Sequence, residues 1–261
     1  MSELLVGCHA KIQRAEENIR HLNREINGYV ASSSTSYRMI REFRNDGRQY
    51  AFVAFGNSSV PPRFAVLAGE IVHQLRSSLD HLLCALVKKR GGRPSRKHQF
   101  PIYTSVREFD NARARGIIDG VSASAEALIR SVQPYTSPTP DDTVLHVVQQ
   151  FDNLDKHQLL LVTSTVMAIG DKIRVNPKVS GLAITGMTPP YPRKITRDGV
   201  VVFGIDLAQP ATDTDFDADA DFVTHVAFEK CGRAELVEII STLTGLLQGT
   251  AHTVKLFESE F

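Results

Sequence analysis

The sequence predicts an α+β fold, in which a helical bundle of about four long helices carries an inserted antiparallel β-sheet. Helical spacing of apolar residues recurs in four long segments, and strand-like alternation fills the region between the last two. No strand alternates with a helix in the βαβ manner that a parallel sheet requires. The 261 residues contain no low-complexity linker, which favours one integrated domain, 1–261.

Each long helix is recognised by an apolar stripe and by residues that end it. The predicted long helices cover 2–27, 63–90, 141–166 and 234–257. Gly28 ends the first, Gly91-Gly92 ends the second, and Asp141 or Asp142 caps the third. Two shorter helices are predicted near 106–115 and 122–132, between proline-containing and glycine-containing loops.

Two regions carry the alternation that is typical of strands. Residues 37–55 predict a hairpin with Asn45-Asp46-Gly47 as its turn. Residues 171–229 predict the β insertion, with a second hairpin turn at Arg197-Asp198-Gly199. Because this insertion lies between the third and fourth helices, it interrupts the bundle rather than following it.

Composition excludes several functional classes. Thirty Lys and Arg residues against 29 Asp and Glu residues exclude a globally basic nucleic-acid binder, although not a local basic patch. No apolar run is long enough to span a bilayer, and three scattered cysteines without a CxxC pair favour a reducing compartment. We therefore expect a cytoplasmic protein without a membrane partner. The common nucleotide-binding, serine-hydrolase and zinc-protease motifs are absent, and no cofactor is predicted.

One face of the second helix has apolar or small residues at both ends and a stripe of polar residues in the middle. This polar stripe consists of His73, Arg76, Ser77 and Asp80, with His81 on its flank. Charged groups in such a stripe need partners if they are buried. A solvated face explains the same residues, because the leucines opposite already supply an apolar stripe.

The third helix carries Asp155 in the middle of its apolar face. A carboxylate there is expected to pair with a cation on a neighbouring helix, and Arg76, His73 and His81 are the candidates. The pair could be catalytic or purely structural. A row of polar residues on the flanking face fits either a wet surface or a site: His146, Gln150, Asn153 and His157.

Several motifs together resemble those of an uncharacterised bacterial protein family, which implies no settled activity. They are Gly69-Glu70-x-x-His73-x-Leu75-Arg76-Ser77-x-Leu79-Asp80-His81, Phe100-Pro101-Ile102, Gln133-Pro134-Tyr135 and Asp155-Lys156-His157. The resemblance covers most of the helical part of the chain.

The segment from Arg76 to His81 also resembles the R-x4-6-H motif of HEPN-superfamily ribonucleases. That resemblance implies metal-independent RNA cleavage at a homodimer interface, in a toxin or phage-defence setting. His81 would be the general base or acid on the ribose 2′-hydroxyl, and Arg76 would hold the scissile phosphate. His73, Asp80 and Asp155 complete the predicted catalytic set.

A basic cluster follows the second helix, with no acidic residue between Lys88 and His98. Such a cluster fits RNA phosphate binding or simply a solvated loop at a helix end. Its members are Lys88, Lys89, Arg90, Arg93, Arg96 and Lys97. The alternating aspartates of 213–221 fit no calcium-binding loop and predict a charged surface loop.

Two other functional classes stay open. The polar stripe could belong to a non-catalytic module that binds a nucleotide or a protein. Carboxylates and imidazoles from the second and third helices could instead converge on a metal in a hydrolase, although no metal signature supports it. The candidate ligands are His73, Asp80, His146, Asp152, Asp155 and His157.

Overall fold

The computed structural model describes residues 2–33, 37–189, 191–231 and 234–261 of the chain. The fold within these ranges is α+β, as predicted. The helices are α1 (Val6–Ser33), α2 (Pro62–Lys89), α3 (Val106–Ala114), α4 (Ala123–Ser131), α5 (Val144–Asp155) and α6 (Ile239–Leu256). The strands are β1 (Tyr37–Arg44), β2 (Gln49–Gly56), β3 (Val162–Ala168), β4 (Arg174–Pro177), β5 (Ile184–Met187), β6 (Arg193–Lys194), β7 (Val200–Leu207), β8 (Phe216–Asp219), β9 (Phe222–Phe228) and β10 (Val237–Glu238).

The helical layer is arranged around α2, which contacts α1, α5 and α6. Helices α1 and α2 have 28 residues each, whereas α5 has only 12, so a bundle of four long helices is not confirmed. The apolar stripes of these helices meet in one core cluster that also includes Val226 and Phe228 of β9. Burial of the inner face of α2 therefore fixes which of its residues remain at the surface.

Several helix boundaries differ from the prediction. Asp141 and Asp142 do not cap the third long helix, because they belong to the 3₁₀ turn Pro140–Asp142 and α5 begins after Thr143. Helix α1 continues through Gly28, because a glycine in a helix interior costs only about 1 kcal/mol relative to alanine. The predicted helix 141–166 is wrong beyond Asp155, since 162–168 forms strand β3 and pairs with β9. Helix α6 begins at Ile239 because the Glu238 side chain caps it, accepting hydrogen bonds from the Ile240 and Ser241 N–H groups.

The strands form antiparallel ladders, with the orders β1-β2-β7-β5, β10-β9-β3-β6 and β4-β8. The predicted hairpin 37–55 is present as β1 and β2, and Asn45, Asp46 and Gly47 all have the positive φ angles that its turn requires. This hairpin pairs with β7 of the insertion, so the two predicted β regions share one sheet.

The acidic segment is part of the sheet region rather than a free loop. Residues 216–219 form β8, which pairs with β4. Asp219 lies 2.7 Å from Arg41 of β1, and Asp215 accepts hydrogen bonds from Thr212. The contacts of this segment are therefore with the sheets and not with the basic cluster after α2.

Candidate functional site

A polar cleft of about 320 Å³ lies between α2, α5 and the loop that precedes α3. The polar stripe of α2 forms one side, the loop 99–103 forms the second, and α5 forms the third. The lining residues are His73, Arg76, Ser77, Asp80, Gln99, Phe100, Pro101, Ile102, Tyr103, Ile117, Gln149, Asp152, Asn153 and Lys156. The predicted polar stripe thus faces a cavity rather than open solvent.

Arg76 and Asp80 together hold the peptide backbone of Phe100. Arg76 Nη1 lies 2.8 Å from Asp80 Oδ1, a charge contact without a well-aligned N–H. Arg76 Nη2 donates to the Phe100 carbonyl at 3.0 Å, and Asp80 Oδ1 accepts from the Phe100 N–H at 2.7 Å. Only 11% of the Arg76 side chain is exposed. The pair therefore fixes one wall of the cleft.

Gln133 holds the same loop, 99–103, through hydrogen bonds to its backbone. Its side chain is buried, donates to the carbonyls of Pro101 and Ile129, and accepts from the Tyr103 N–H at 3.1 Å. Buried backbone groups need such partners when no strand or helix satisfies them. Three of the motifs noted in the sequence, around Arg76, Phe100 and Gln133, are thus parts of one hydrogen-bonded loop.

The α2 side of the cleft also carries a histidine, which is held by a buried carboxylate of α5. His73 Nδ1 lies 2.9 Å from Asp152 Oδ1, and Lys156 Nζ lies 2.6 Å from Asp152 Oδ2. Asp152 is 3% exposed, whereas His73 is 55% exposed. When the Asp152 carboxylate accepts a hydrogen bond from the Nδ1–H of His73, the Nε2 lone pair of the imidazole is left for a ligand. This is the arrangement by which a carboxylate orients a general base.

Asp155 does not pair with Arg76, contrary to the prediction for the third helix. Its carboxylate packs against Gly69 of α2, where a Cβ would overlap all three carboxylate atoms. Burial raises the pKa of Asp155, the nearby Asp152 raises it further, and His73 opposes the rise. Of the predicted partners, only His73 is therefore close enough to affect Asp155.

His81 lies outside the cleft. A Cβ on Gly7 of α1 would overlap its ring, so the His81 imidazole sits on the α1 side of α2. Arg76 and His81 are five positions apart, about 140° around the helix, which sends them to different faces. The structure of one chain thus does not bring the R-x4-6-H pair into one site.

Asp80 is a carboxylate of the cleft whose pKa is displaced from its ordinary value. Burial raises the pKa of Asp80, while Arg76 and the Phe100 N–H lower it and Asp152 raises it. The charged form of Asp80 therefore depends on Arg76, which supports a positioning role for the pair.

The basic cluster is exposed throughout and does not line the cleft. Lys88 is eight residues beyond Asp80 along α2, a rise of about 12 Å. Lys89 donates to the Phe261 carbonyl at 2.7 Å. The cluster is thus a neighbouring surface, connected to the cleft through the loop 91–99.

The polar row of α5 lines two further concavities beside the cleft. His146 faces both of them and lies 3.8 Å from Asp141, while His157 faces one. Within the described ranges, no three His, Cys, Asp or Glu side chains are arranged to hold a metal ion. The proposed metal ligands are thus dispersed among separate contacts.

Sequence reasoning placed Asp152 only among metal candidates and did not single out Lys156 or Gln133 as site residues. Asp152 and Lys156 are four positions apart on α5, a spacing that pairs opposite charges on a helix and could have indicated them. Gln133 gave no signal as a site residue, because two of its three partners, Pro101 and Tyr103, lie about 30 residues away.

A comparison of the chain with protein-family models, with curated proteins and with solved structures found no match. No helix in the described part of the chain is long and apolar enough to cross a membrane.

We expect Asp155→Asn to raise the unfolding temperature at pH 7.5. The raised pKa means that the folded state favours the protonated carboxyl, so the charge costs stability above the ordinary Asp pKa of about 4. The difference between variant and wild type should shrink as the pH falls toward 4. Thermal unfolding at both pH values measures it, with the exposed Asp221→Asn as control. A variant less stable than wild type at pH 7.5 would contradict this account.

Proposed function

We propose that the protein is a metal-independent endoribonuclease in which His73, rather than His81, is the general base. The observation that carries the proposal is the contact between His73 Nδ1 and the buried Asp152 carboxylate. A positioned imidazole that acts as a general base contributes about 10²- to 10⁴-fold to proton transfer. Its free nitrogen belongs to a cleft that also contains a lysine and an arginine.

RNA suits this chemistry because it carries its own nucleophile. His73 Nε2 removes the proton from the ribose 2′-hydroxyl, whose oxygen forms a bond to phosphorus. The bond to the 5′-oxygen then breaks, and that oxygen takes up a proton from water while the His73 imidazolium returns its proton to water, leaving a 2′,3′-cyclic phosphate and a 5′-hydroxyl. Lys156, which is half exposed, stabilises the charge on the phosphate oxygens. Asp152 stabilises the imidazolium.

The resemblance to HEPN ribonucleases enters this proposal in modified form. In this proposal the helical layer of α1, α2, α5 and α6 takes the place of the helical bundle of those ribonucleases, and Arg76 positions the loop beside the scissile phosphate. The catalytic set within one chain is His73, Asp152 and Lys156, with Arg76 and Asp80 as positioning residues. A homodimer is needed only if His81 acts across an interface. The exposed basic cluster would add sequence-independent phosphate contacts in the cytoplasm.

Two histidine variants on the same helix test the assignment. We expect His73→Ala to lower RNA cleavage in excess EDTA by about 10²- to 10⁴-fold and His81→Ala to leave it essentially unchanged. End-labelled single-stranded RNA resolved by gel electrophoresis gives the rates, and circular dichroism checks the fold of both variants. Loss of cleavage with His81→Ala alone would overturn the His73 assignment and favour a dimeric HEPN site.

A non-catalytic nucleotide-binding module is the second candidate. It is favoured by the engagement of Arg76 with Asp80 and Phe100, which leaves that guanidinium little freedom to follow a reacting phosphate. Under this alternative, wild type binds a mononucleotide in calorimetric titration without cleaving RNA, and Lys156→Ala weakens the binding. Turnover by wild type that His73→Ala removes would exclude it.

A further inference from the structure

The cleft is one of three concavities that follow α5 side by side. The second has a volume of about 400 Å³ and lies toward α3, and the third has about 440 Å³ and lies along the outer face of α5. Gln149 lines all three. Tyr103 lines the first two, Asn153 the first and third, and His146 the second and third. Because they share these residues, the concavities form one branched groove.

The groove is longer than a single nucleotide needs. Its residues on α5 run from His146 to Leu154, which are eight positions apart and therefore about 12 Å along the helix axis, and His157 lies just beyond the end of α5. Cations line two of the three concavities, with Arg76 and Lys156 in the cleft and Arg115 in the second concavity. Phosphates spaced along a chain would meet these cations in turn.

Five of the polar side chains that line the groove are neutral amides. Each amide offers a donor and an acceptor, which is the pattern that reads the edges of unpaired bases. They are Gln99, Asn111, Gln149, Gln150 and Asn153. The Tyr103 ring, which lines two concavities, adds an aromatic group of the kind on which bases pack in single-strand binding sites.

We infer that the groove binds a single-stranded RNA segment of about three nucleotides, one in each concavity, with Gln149 contacting bases where the concavities meet. This inference rests on the proposed function, because it takes the cleft as the place of cleavage. The inference goes beyond the proposed function by assigning the second and third concavities as substrate subsites. Duplex RNA does not fit, since its base edges are already paired.

Binding of uncleavable oligonucleotides tests the groove separately from catalysis. We expect the affinity of fluorescein-labelled 2′-O-methyl oligonucleotides to rise from one to about three nucleotides and then level off. Gln149→Ala should weaken trinucleotide binding by about two- to tenfold, as expected for lost hydrogen bonds, and should affect the mononucleotide less. The exposed Gln158→Ala, outside the groove, is the matched control. Fluorescence anisotropy gives the dissociation constants.

The outcomes separate the two proposals. Length-dependent binding without cleavage of ordinary RNA would uphold the groove and reject the ribonuclease. Cleavage of RNA with an affinity that does not rise beyond one nucleotide would reject the groove and retain the ribonuclease. Equal binding by the Gln149→Ala and Gln158→Ala variants, or no oligonucleotide binding by wild type, would also overturn the groove.

Discussion

Arg76→Ala is expected to lower the free energy of unfolding by about 1–3 kcal/mol, the usual cost of leaving a desolvated polar group without its partner, because the Arg76 side chain is 11% exposed and that of Asp80 31% exposed. The variant leaves Asp80 in a desolvated place without its cation, and it leaves the Phe100 carbonyl without a donor. Urea denaturation at pH 7 measures the loss. The exposed pair of Arg14 with Glu17 provides the control, since Arg14→Ala should cost less than about 1 kcal/mol.

A double-mutant cycle makes this prediction specific to the pair. If Arg76 acts through Asp80, the variant lacking both side chains should be less destabilised than the sum of the two single variants. Additive losses, or an Arg76→Ala protein as stable as wild type, would show that the pair does not hold the loop. Arg76 would then be free to bind phosphate directly.

Gln133→Ala is expected to lower the free energy of unfolding by about 3 kcal/mol, because three hydrogen bonds of about 1 kcal/mol each are lost. The Pro101 carbonyl and the Tyr103 N–H are then left without their partner inside the protein. Hydrogen exchange of the Tyr103 amide, together with urea denaturation, measures both the local and the global effect. The exposed Gln158→Ala serves again as control, and unchanged protection of Tyr103 would contradict the prediction.

The sequence predicted those elements whose signals are local. Helix α2 and the β1–β2 hairpin follow from apolar spacing and from a turn with three consecutive residues of positive φ. The end of the third helix did not follow, because the apolar run 159–162 fits a helix as well as a strand. Its strand form is decided by pairing with β9, some 60 residues later. Pairing between strands so far apart in the chain cannot be predicted from a short stretch of sequence.

In the site, too, features with local sequence signals were predicted and those decided by long-range contacts were not. All four residues of the polar stripe, His73, Arg76, Ser77 and Asp80, line the cleft, because helical spacing decides which residues share a face. The partners were harder to predict. Asp155 and Asp152 are three positions apart and both face α2, and only the relative placement of the two helices puts Asp152 against His73. His81 was included by resemblance, whereas helix geometry alone sends it toward α1.

The pairing of β2 with β7 has a consequence for synthesis of the chain on the ribosome. Gln49 and Asp206 are 157 positions apart, yet their side chains are hydrogen-bonded across the two strands. The β1–β2 hairpin is therefore synthesised long before β7. Until then, one edge of β2 has unpaired backbone groups while the segments between β2 and β7 fold. Exposed edges of this kind recruit other chains. Fragments that stop between α5 and β7 should accordingly aggregate, even though they contain the cleft residues in full.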